Sequence, residues 1–337
     1  MTAFGVMLPS FASGTHRLGA AALSHLSRRI EALGFDSIWA IDHFLAAPMY
    51  GQTWMDPLLT LAFVAANTSK VKVGTGVLVL PLRNPVHVAR DVAALRWLSE
   101  DRFILGVGAG WNPLEFEASQ VSRRERGRRT DESLHVLRLL LSGHRTSYEG
   151  RYFRFPEILI EPAAERPPPI WVGGGSQPPG RGSTGESLTA PDAVIHRIAA
   201  ADGWIAPSTS TPDLIAADWA RIQAAASATR GDASKIVFAH MNAFHLVDTD
   251  DRERAHAEQK KAFARYLGPA RPWKFARECY LVGSLGDVVD AICGRIAIGV
   301  RYFILGPIVS DVRELERQLE LLVTKVIPAF AELPSTG

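Results

Sequence analysis

Short apolar runs alternate with longer amphipathic stretches along almost the whole chain. The runs are rich in β-branched and aromatic residues, whereas apolar side chains recur at helical spacing in the stretches between them. This alternation is typical of repeated β-strand and α-helix units around a parallel sheet. It predicts strands at Phe4–Leu8, Ser37–Ile41, Val71–Leu78, Phe103–Val107, Ile170–Val172, Gly203–Ile205, Ile236–Leu246 and Arg301–Leu305. It predicts helices at Leu23–Leu33, Pro57–Asn67, Val86–Leu98, Thr130–Leu141, Ala193–Ala200, Asp213–Ala226, Arg252–Tyr266, Leu285–Ile298 and Val312–Phe330.

Eight such strands with helices between them close naturally into a (β/α)8 TIM barrel, although an open, doubly wound sheet gives much the same local pattern. The chain has 337 residues, and barrels of this type commonly reach about 250 residues or more as one unit. We therefore expect residues 1–337 to form a single α/β domain.

Two stretches interrupt the alternation, and we interpret both as insertions into the barrel, after strands four and five. The first, Gly143–Pro169, contains a predicted hairpin at Tyr148–Phe155. The second, Gly173–Pro191, is rich in Gly, Pro, Ser and Thr and has few apolar side chains to bury. We expect residues 177–191 to form a mobile loop, which is either a lid over the active site or a solvated loop without function.

The charge balance and the cysteines exclude several classes of function. The chain carries 37 Lys and Arg residues against 35 Asp and Glu residues, so no broad cationic field is available for a nucleic acid or an anionic bilayer. Its two cysteines, Cys279 and Cys293, form no C-x-x-C motif, and the His/Cys pairs of a zinc site are missing. We expect no metal, no membrane span and a cytoplasmic location, because the N-terminus shows no export signal and no apolar segment approaches about 20 residues.

The second predicted strand ends in an acid and a histidine, Asp42 and His43. In a barrel, polar side chains at the C-terminal end of a strand point into the mouth that carries the active site. A histidine can donate or accept a proton near neutral pH, and Asp42 beside it can fix its tautomer. An isolated pair of this kind is more often a helix cap beside a surface histidine, but its place at a strand end favours catalysis.

Two glycines, Gly74 and Gly76, interrupt the β pattern of the third strand, with Thr75 between them and Val77 after them. Glycine weakens a strand unless a bulge or a close ligand needs the space. These residues therefore indicate either a packing bulge or a planar ligand that lies against the backbone.

Two Gly-rich turns, Gly106–Asn112 and Gly173–Ser176, follow the fourth and fifth strands. Each leads toward a helix, so its backbone N–H groups can hold an anion such as a cofactor phosphate, and we expect Ser176 to add a side-chain contact. Neither turn matches G-x-G-x-x-G or a Walker motif, which argues against a Rossmann domain or an NTPase. The run Arg123–Arg129 adds local positive charge, although such runs usually face water at the start of a helix.

Aromatic and apolar side chains follow the second and fourth strands. They predict a mouth that suits a hydrophobic or planar substrate. The predicted substrate contacts are Phe44, Tyr50, Trp54 and Trp111, and the mouth around them is predicted to include Leu45, Met49 and Phe116.

Taken together, these segments resemble the luciferase-like monooxygenase superfamily over most of residues 1–330. The resemblance rests on GFDSIWAIDHF, VKVGTGVLVLPLRNPVHVARDVAALRWLSEDRFILGVGAGWNPLEFEA, PPPIWVGGGS, ADGWI and LVGSLGDVVDAI, in this order. It implies a (β/α)8 barrel, a reduced flavin or deazaflavin in the mouth, a bulge with a non-prolyl cis peptide at Gly76–Val77, and a homodimer. The predicted cofactor-binding residues are Gly74, Thr75, Gly76, Val77, Gly108, Ala109, Asn112, Gly173, Gly174, Gly175 and Ser176.

Within the superfamily, Asp42 and His43 look most like the branch that uses coenzyme F-420, a deazaflavin that transfers hydride from its C5 atom. The sugar-phosphate dehydrogenases of that branch place a glutamate just after the Gly-rich turn of strand four, where this chain has Trp111. The resemblance therefore argues against that substrate class. An FMN-using branch shares the fold and many of the same turns.

Three functions are compatible with these observations. The first is an oxidoreductase that uses reduced coenzyme F-420 for hydride transfer to or from a small hydrophobic substrate, with His43 as the proton donor or acceptor. The second is an FMN-dependent monooxygenase that uses O2. The third is a non-catalytic flavin-binding barrel, which the presence of Asp42 and His43 makes the least favoured.

Overall fold

The computed structural model describes residues 2–9, 18–46, 54–163, 166–178, 189–267, 271–309 and 311–330. Its strands are β1 Ala3–Met7, β2 Ser37–Ala40, β3 Lys72–Thr75, β4 Leu78–Val79, β5 Phe103–Gly108, β6 Thr146–Glu149, β7 Arg154–Ile158, β8 Ile170–Gly173, β9 Gly203–Ala206, β10 Val237–Phe244 and β11 Tyr302–Pro307. Its α-helices are α1 Ala20–Ala32, α2 Pro57–Ala66, α3 Pro85–Leu98, α4 Pro113–Ala118, α5 Arg126–Leu140, α6 Asp192–Ala199, α7 Pro212–Arg230, α8 Arg252–Leu267, α9 Trp273–Cys279, α10 Leu285–Ala297 and α11 Val312–Leu321.

The parallel strands close into a barrel. β1 pairs with both β2 and β11, and the ring continues through β3, β5, β8, β9 and β10 back to β11. Both β3 and β4 pair with β5, so together they form the third strand of the barrel. The predicted (β/α)8 TIM barrel is confirmed, and the open, doubly wound sheet is excluded.

The sequence predicts the third barrel strand as one continuous strand, Val71–Leu78, but the structure divides it into β3 and β4. A cis peptide bond between Gly76 and Val77 separates β3 from β4. The cis peptide that the family resemblance placed at this bond is therefore confirmed. The apolar pattern alone could not reveal the break, because it continues through both halves of the strand.

The predicted hairpin is also confirmed, as the antiparallel pair β6 and β7. Glu132 of α5 anchors its turn, since its Oε1 accepts hydrogen bonds from the backbone N–H groups of Tyr152 and Phe153, both at 2.9 Å. The Arg129 guanidinium lies 5.1 and 5.2 Å from the centres of the same two rings. At least this member of the arginine-rich run packs against the protein and does not simply face water.

Two short helices escaped the sequence pattern. They are α4, with six residues, and α9, with seven, and neither is long enough to display a helical repeat. The last predicted helix, Val312–Phe330, is helical throughout but of three types. The α-helix α11 ends at Leu321, and a π-helical segment, Leu322–Val326, and a 3-10 segment, Ile327–Phe330, follow it. Most of the predicted mobile loop, residues 179–188, lies outside the described residues. No described helix is both long enough and apolar enough to span a bilayer.

Large aromatic side chains fill the inside of the barrel. Trp39, Trp171 and Tyr302 meet there, with ring centroids 5.0–6.0 Å apart. Trp39 is fully buried, and its indole N–H donates to Ser37 Oγ at 2.6 Å. Ile38, between Ser37 and Trp39, points outward into the core beneath the helices. Because side chains alternate along a strand, β2 contributes both to the inside of the barrel and to this outer core.

Glycines on neighbouring strands provide the space for these rings. A Cβ atom at Gly74 would lie 2.5 Å from Trp39 Cζ3, and one at Gly203 would lie 2.6 Å from Trp171 Cδ1. The structure therefore gives Gly74 a packing role against the Trp39 ring, and its predicted contact with a cofactor stays a prediction.

We expect Gly74→Ala to lower the free energy of unfolding by about 1–3 kcal/mol, because the added methyl group overpacks a fully buried indole. Gly294→Ala is the matched control. Gly294 is exposed within α10 and a Cβ there would meet nothing within 4 Å, so the same change should stabilise the protein by roughly 0.5–1 kcal/mol. Urea unfolding of both variants measures the difference. Equal stability changes in the two variants would contradict the packing argument.

Candidate active site

His43 lies at the mouth of the barrel, three residues after the end of β2. Its ring is close to two of the predicted substrate contacts, with centroids 5.3 Å from Trp111 and 6.0 Å from Trp54. The backbone N–H of Trp54 donates to His43 O at 2.8 Å. The structure thus brings together His43, Trp54 and Trp111, as the sequence predicts.

The carboxylate that contacts the His43 ring belongs to Glu115, which the sequence analysis did not identify. Its Oε1 and Oε2 atoms lie 3.2 and 3.1 Å from His43 Nδ1. The Glu115 side chain is 1% exposed, and its Oε1 also accepts from the backbone N–H of Leu45 at 3.4 Å. Because an ionised carboxylate can only accept, this contact places a proton on Nδ1 and leaves Nε2 as the second, exchangeable ring nitrogen.

Glu115 reaches this place through α4. Asn112 caps that helix, accepting from the backbone N–H of Leu114 at 3.2 Å, and Pro113 occupies the first helical position. The sequence N-P-L-E has an N-cap residue followed three positions later by glutamate, which is a sequence signal for a helix start. That signal could have located α4 and Glu115 before the structure was known. Asn112 itself, predicted to bind cofactor, is buried and serves as the cap.

Asp42, the other predicted catalytic residue, has a different set of partners from the one expected. Its Oδ2 accepts from the backbone N–H of Val79 at 2.9 Å and from Arg83 Nε at 3.2 Å, and its Oδ1 accepts from Arg83 Nη2 at 2.9 Å. Asp42 is 5% exposed. Asp42 therefore forms an ion pair with Arg83, whereas the carboxylate that contacts His43 Nδ1 is that of Glu115.

The predicted cofactor residues of the third strand divide into two groups. Gly74, Thr75 and Gly76 are buried below the mouth, and Thr75 Oγ1 donates to Gly106 O at 2.6 Å. Val77 is partly exposed. Of this segment, only Val77 presents its side chain near the surface of the mouth.

Val77 also explains two glycines in the Gly-rich turns. A Cβ atom at Gly108 would lie 2.5 Å from Val77 Cγ2, and one at Gly173 would lie 2.9 Å from Val77 Cγ1. Gly110 is glycine for a different reason, because its φ of +70° lies in the left-handed region, which residues with a Cβ atom rarely adopt. These turns thus contain glycine for reasons of packing and backbone geometry, in addition to any role toward an anion.

Ser176, predicted to contact the cofactor phosphate, is buried and already bonded. Its backbone N–H and its hydroxyl donate to the Asp218 carboxylate at 2.6 and 2.7 Å, and the hydroxyl accepts from the backbone N–H of Ala190 at 2.7 Å. A second anion beside a buried carboxylate is unfavourable. The phosphate contact of this turn stays a prediction, which now rests on the partly exposed Gly174 and Gly175.

A cavity of about 540 Å³ opens on the side of the mouth formed by the ends of β1, β10 and β11. Its lining combines apolar side chains, among them Met7, Ile41, Met241 and Trp54, with charged ones such as Lys261, Glu314 and Arg317. Cavities of about 300–1,000 Å³ are typical of small-molecule sites. Of the other predicted mouth residues, Phe44 is 45% exposed, Phe116 is buried against Gly110, and Met49 and Tyr50 lie outside the described residues.

The comparisons with known proteins agree with this fold. An F-420-dependent hydroxymycolic acid dehydrogenase from Mycobacterium tuberculosis is 34% identical over 233 residues, which are 66% of this chain and 58% of the relative. The chain spans about half the length of the curated relatives it matches. Two solved structures each superpose on 98% of this chain. Monooxygenase RslO1 from Streptomyces bottropensis superposes over its whole length, with a TM-score of 0.79 and 22% identity. An F-420-dependent secondary alcohol dehydrogenase in complex with an F-420–acetone adduct superposes over 99% of its length, with a TM-score of 0.78 and 19% identity.

The family assignment comes from the sequence itself. The luciferase-like monooxygenase family model matches residues 2–279, a range that contains β1 to β10 together with His43 and Glu115. The chain therefore belongs to the luciferase-like monooxygenase family.

Proposed function

We propose that the protein is an oxidoreductase that uses reduced coenzyme F-420 and a small hydrophobic substrate, with His43 as the proton donor or acceptor. The observation that carries this proposal is the contact between His43 Nδ1 and the buried Glu115 carboxylate at the mouth of the barrel. A histidine oriented by a carboxylate through one ring nitrogen exchanges protons through the other. The F-420 dependence of the dehydrogenase relative supports the choice of cofactor.

The residues of the mouth fit a planar cofactor. Val77 follows the cis peptide and is partly exposed beside one glycine of each Gly-rich turn, Gly108 and Gly173. Ala109, Gly174 and Gly175 are partly exposed as well, so we propose Val77 and these turns as the cofactor contacts. When bound, the deazaflavin would supply hydride to the substrate carbon or accept it from that carbon.

The chain's own residues supply positioning and proton transfer. Glu115 holds the proton of His43 Nδ1, so Nε2 takes up or releases the proton that the substrate oxygen exchanges as its carbon loses or gains hydride. Trp54 and Trp111 lie close to the ring and limit the exposure of the His43 side chain to 15%. The apolar part of the cavity lining, with Met7, Ile41 and Met241, supports a hydrophobic substrate.

Reconstitution with each cofactor tests the proposal. We expect the purified protein to bind coenzyme F-420 more tightly than FMN, measured by quenching of cofactor fluorescence. With reduced F-420 and a panel of hydrophobic ketones under anaerobic conditions, we expect oxidation of the cofactor that depends on the ketone. Turnover with reduced FMN that strictly requires O2 would instead establish the monooxygenase, and binding without any turnover would establish the non-catalytic barrel.

We expect His43→Ala to lower the catalytic rate by about 10²–10⁴-fold, the range of a lost general acid or base, and to keep cofactor affinity within about tenfold. Glu115→Gln should also lower the rate and should change its pH dependence, because an amide cannot stabilise a charged imidazole. His87→Ala is the matched control, since His87 is exposed on α3. Steady-state rates across a pH series measure all three, and unchanged turnover in His43→Ala would disprove the role of His43.

We further propose that the protein forms a homodimer through the outer face of α2 and α3. Helix α2 has the sequence PLLTLAFVAA without a single charge, yet Leu59 is 75% exposed. A helix that is apolar on all sides is normally buried. On α3, Trp97 is 65% exposed. The exposed ion pair of Arg90 and Asp91 gives the face both signs of charge, which is compatible with the self-complementary patch of a twofold interface.

We expect the wild-type protein to elute with twice the 36.8 kDa mass of the chain in size-exclusion chromatography with light scattering. Leu59→Glu should shift it to the mass of one chain, because a buried carboxylate in an apolar interface is strongly unfavourable. Ala224→Glu, at an exposed position of α7, serves as the control. A monomeric wild-type protein, or a Leu59→Glu variant that stays dimeric, would refute this interface.

A further inference from the structure

Arg83 joins two carboxylates that lie on either side of the proposed catalytic histidine. Its Nε and Nη2 atoms donate to Asp42 at 3.2 and 2.9 Å, and Nη2 also donates to Asp56 Oδ2 at 2.9 Å. Asp42 directly precedes His43 at the end of β2, whereas Asp56 caps the start of α2 through the backbone N–H groups of Leu58 and Leu59. Arg83 therefore connects a strand end to the start of a helix.

The two carboxylates bracket the pair formed by His43 and Trp54. Asp42 stands one position before His43, and Asp56 stands two positions after Trp54. Between them, the backbone N–H of Trp54 donates to His43 O at 2.8 Å. The Arg83 bridge and this backbone hydrogen bond thus hold the same two chain segments together at two neighbouring points.

The bridge also includes the strand that carries the cis peptide. Asp42 Oδ2 accepts from the backbone N–H of Val79, two residues after Val77. One carboxylate thereby fixes the distance between His43 and the segment that we propose to contact the cofactor. Burial alone would lower the pKa of Arg83, but the charges and hydrogen bonds of Asp42 and Asp56 together raise it above its ordinary value.

We propose that Arg83 is a positioning residue, which holds His43 and Trp54 at the geometry that proton transfer requires. The inference rests on the proposed function of His43. The planar guanidinium fork matches two carboxylates at fixed angles, which a lysine ammonium cannot do. The alternative role for Arg83 is stability of the fold alone.

Two variants separate positioning from stability. Arg83→Lys keeps the charge and removes the fork. Asp56→Asn keeps a good N-cap for α2, because asparagine caps as well as aspartate. Its NH2 group, a donor, then stands where Asp56 Oδ2 accepts from Arg83, so both the charge and the hydrogen bond on that side of the bridge are lost. Arg154→Lys is the matched control, since Arg154 forms an exposed ion pair with Glu149 in the hairpin.

The first readout is the ¹⁵N NMR spectrum of the His43 imidazole in the protein without cofactor, assigned by comparison with His43→Gln. We expect both bridge variants to change the tautomer balance and the titration midpoint of His43, while their melting temperatures stay close to that of the wild type. The second readout is turnover, which we expect to fall about 10–100-fold in Arg83→Lys with its pH profile displaced. Arg154→Lys should change neither.

An unchanged His43 spectrum in both bridge variants would overturn the proposal, and a lower melting temperature with normal His43 titration would leave only the stability role. The NMR readout needs no cofactor. Failure of the proposed function, with no turnover on any cofactor, is therefore distinguishable from failure of the positioning role.

Discussion

The packing of Trp39 against the backbone of its neighbours is the constraint on which the rest of this barrel depends. The indole is fully buried, lies against Gly74, and has its ring centroid 5.4 Å from that of Trp171 and 6.0 Å from that of Tyr302. Dense packing of this kind cannot be adjusted by a methylene without cost. The same ring lies near the cis peptide, since a Cβ atom at Gly76 would be 3.6 Å from Trp39 Cε3.

Two buried carboxylates at the mouth, Asp42 and Glu115, have partners of different kinds. Asp42 is satisfied by a backbone N–H and by Arg83, whereas Glu115 faces His43. A buried carboxylate without a partner would destabilise the fold, and here Arg83 and His43 are the partners of Asp42 and Glu115. The difference is that the partner of Asp42 is a guanidinium, which can only donate, while the partner of Glu115 is an imidazole, whose ring nitrogens can either donate or accept.

Periodicity predicted the fold well because every barrel strand is a local pattern. The place of His43 at a strand end followed from the same pattern. Glu115 and Arg83 were missed because they reach the site over 72 and 41 residues of sequence, on a six-residue helix and in a 3-10 turn. The meaning of Gly74 could not be decided either, because a glycine that accommodates a ligand and one that accommodates a tryptophan of the next strand look the same in a sequence.

The pairing of glycines with aromatic rings inside the barrel has an evolutionary consequence. Positions 39 and 74, like positions 171 and 203, share one volume, so neither member of a pair can be enlarged unless the other shrinks. During evolution, a larger residue at one position of a pair therefore has to be accompanied by a smaller residue at the other. Within related sequences these positions should covary, and a relative with a smaller residue at position 39 should have a larger one at position 74.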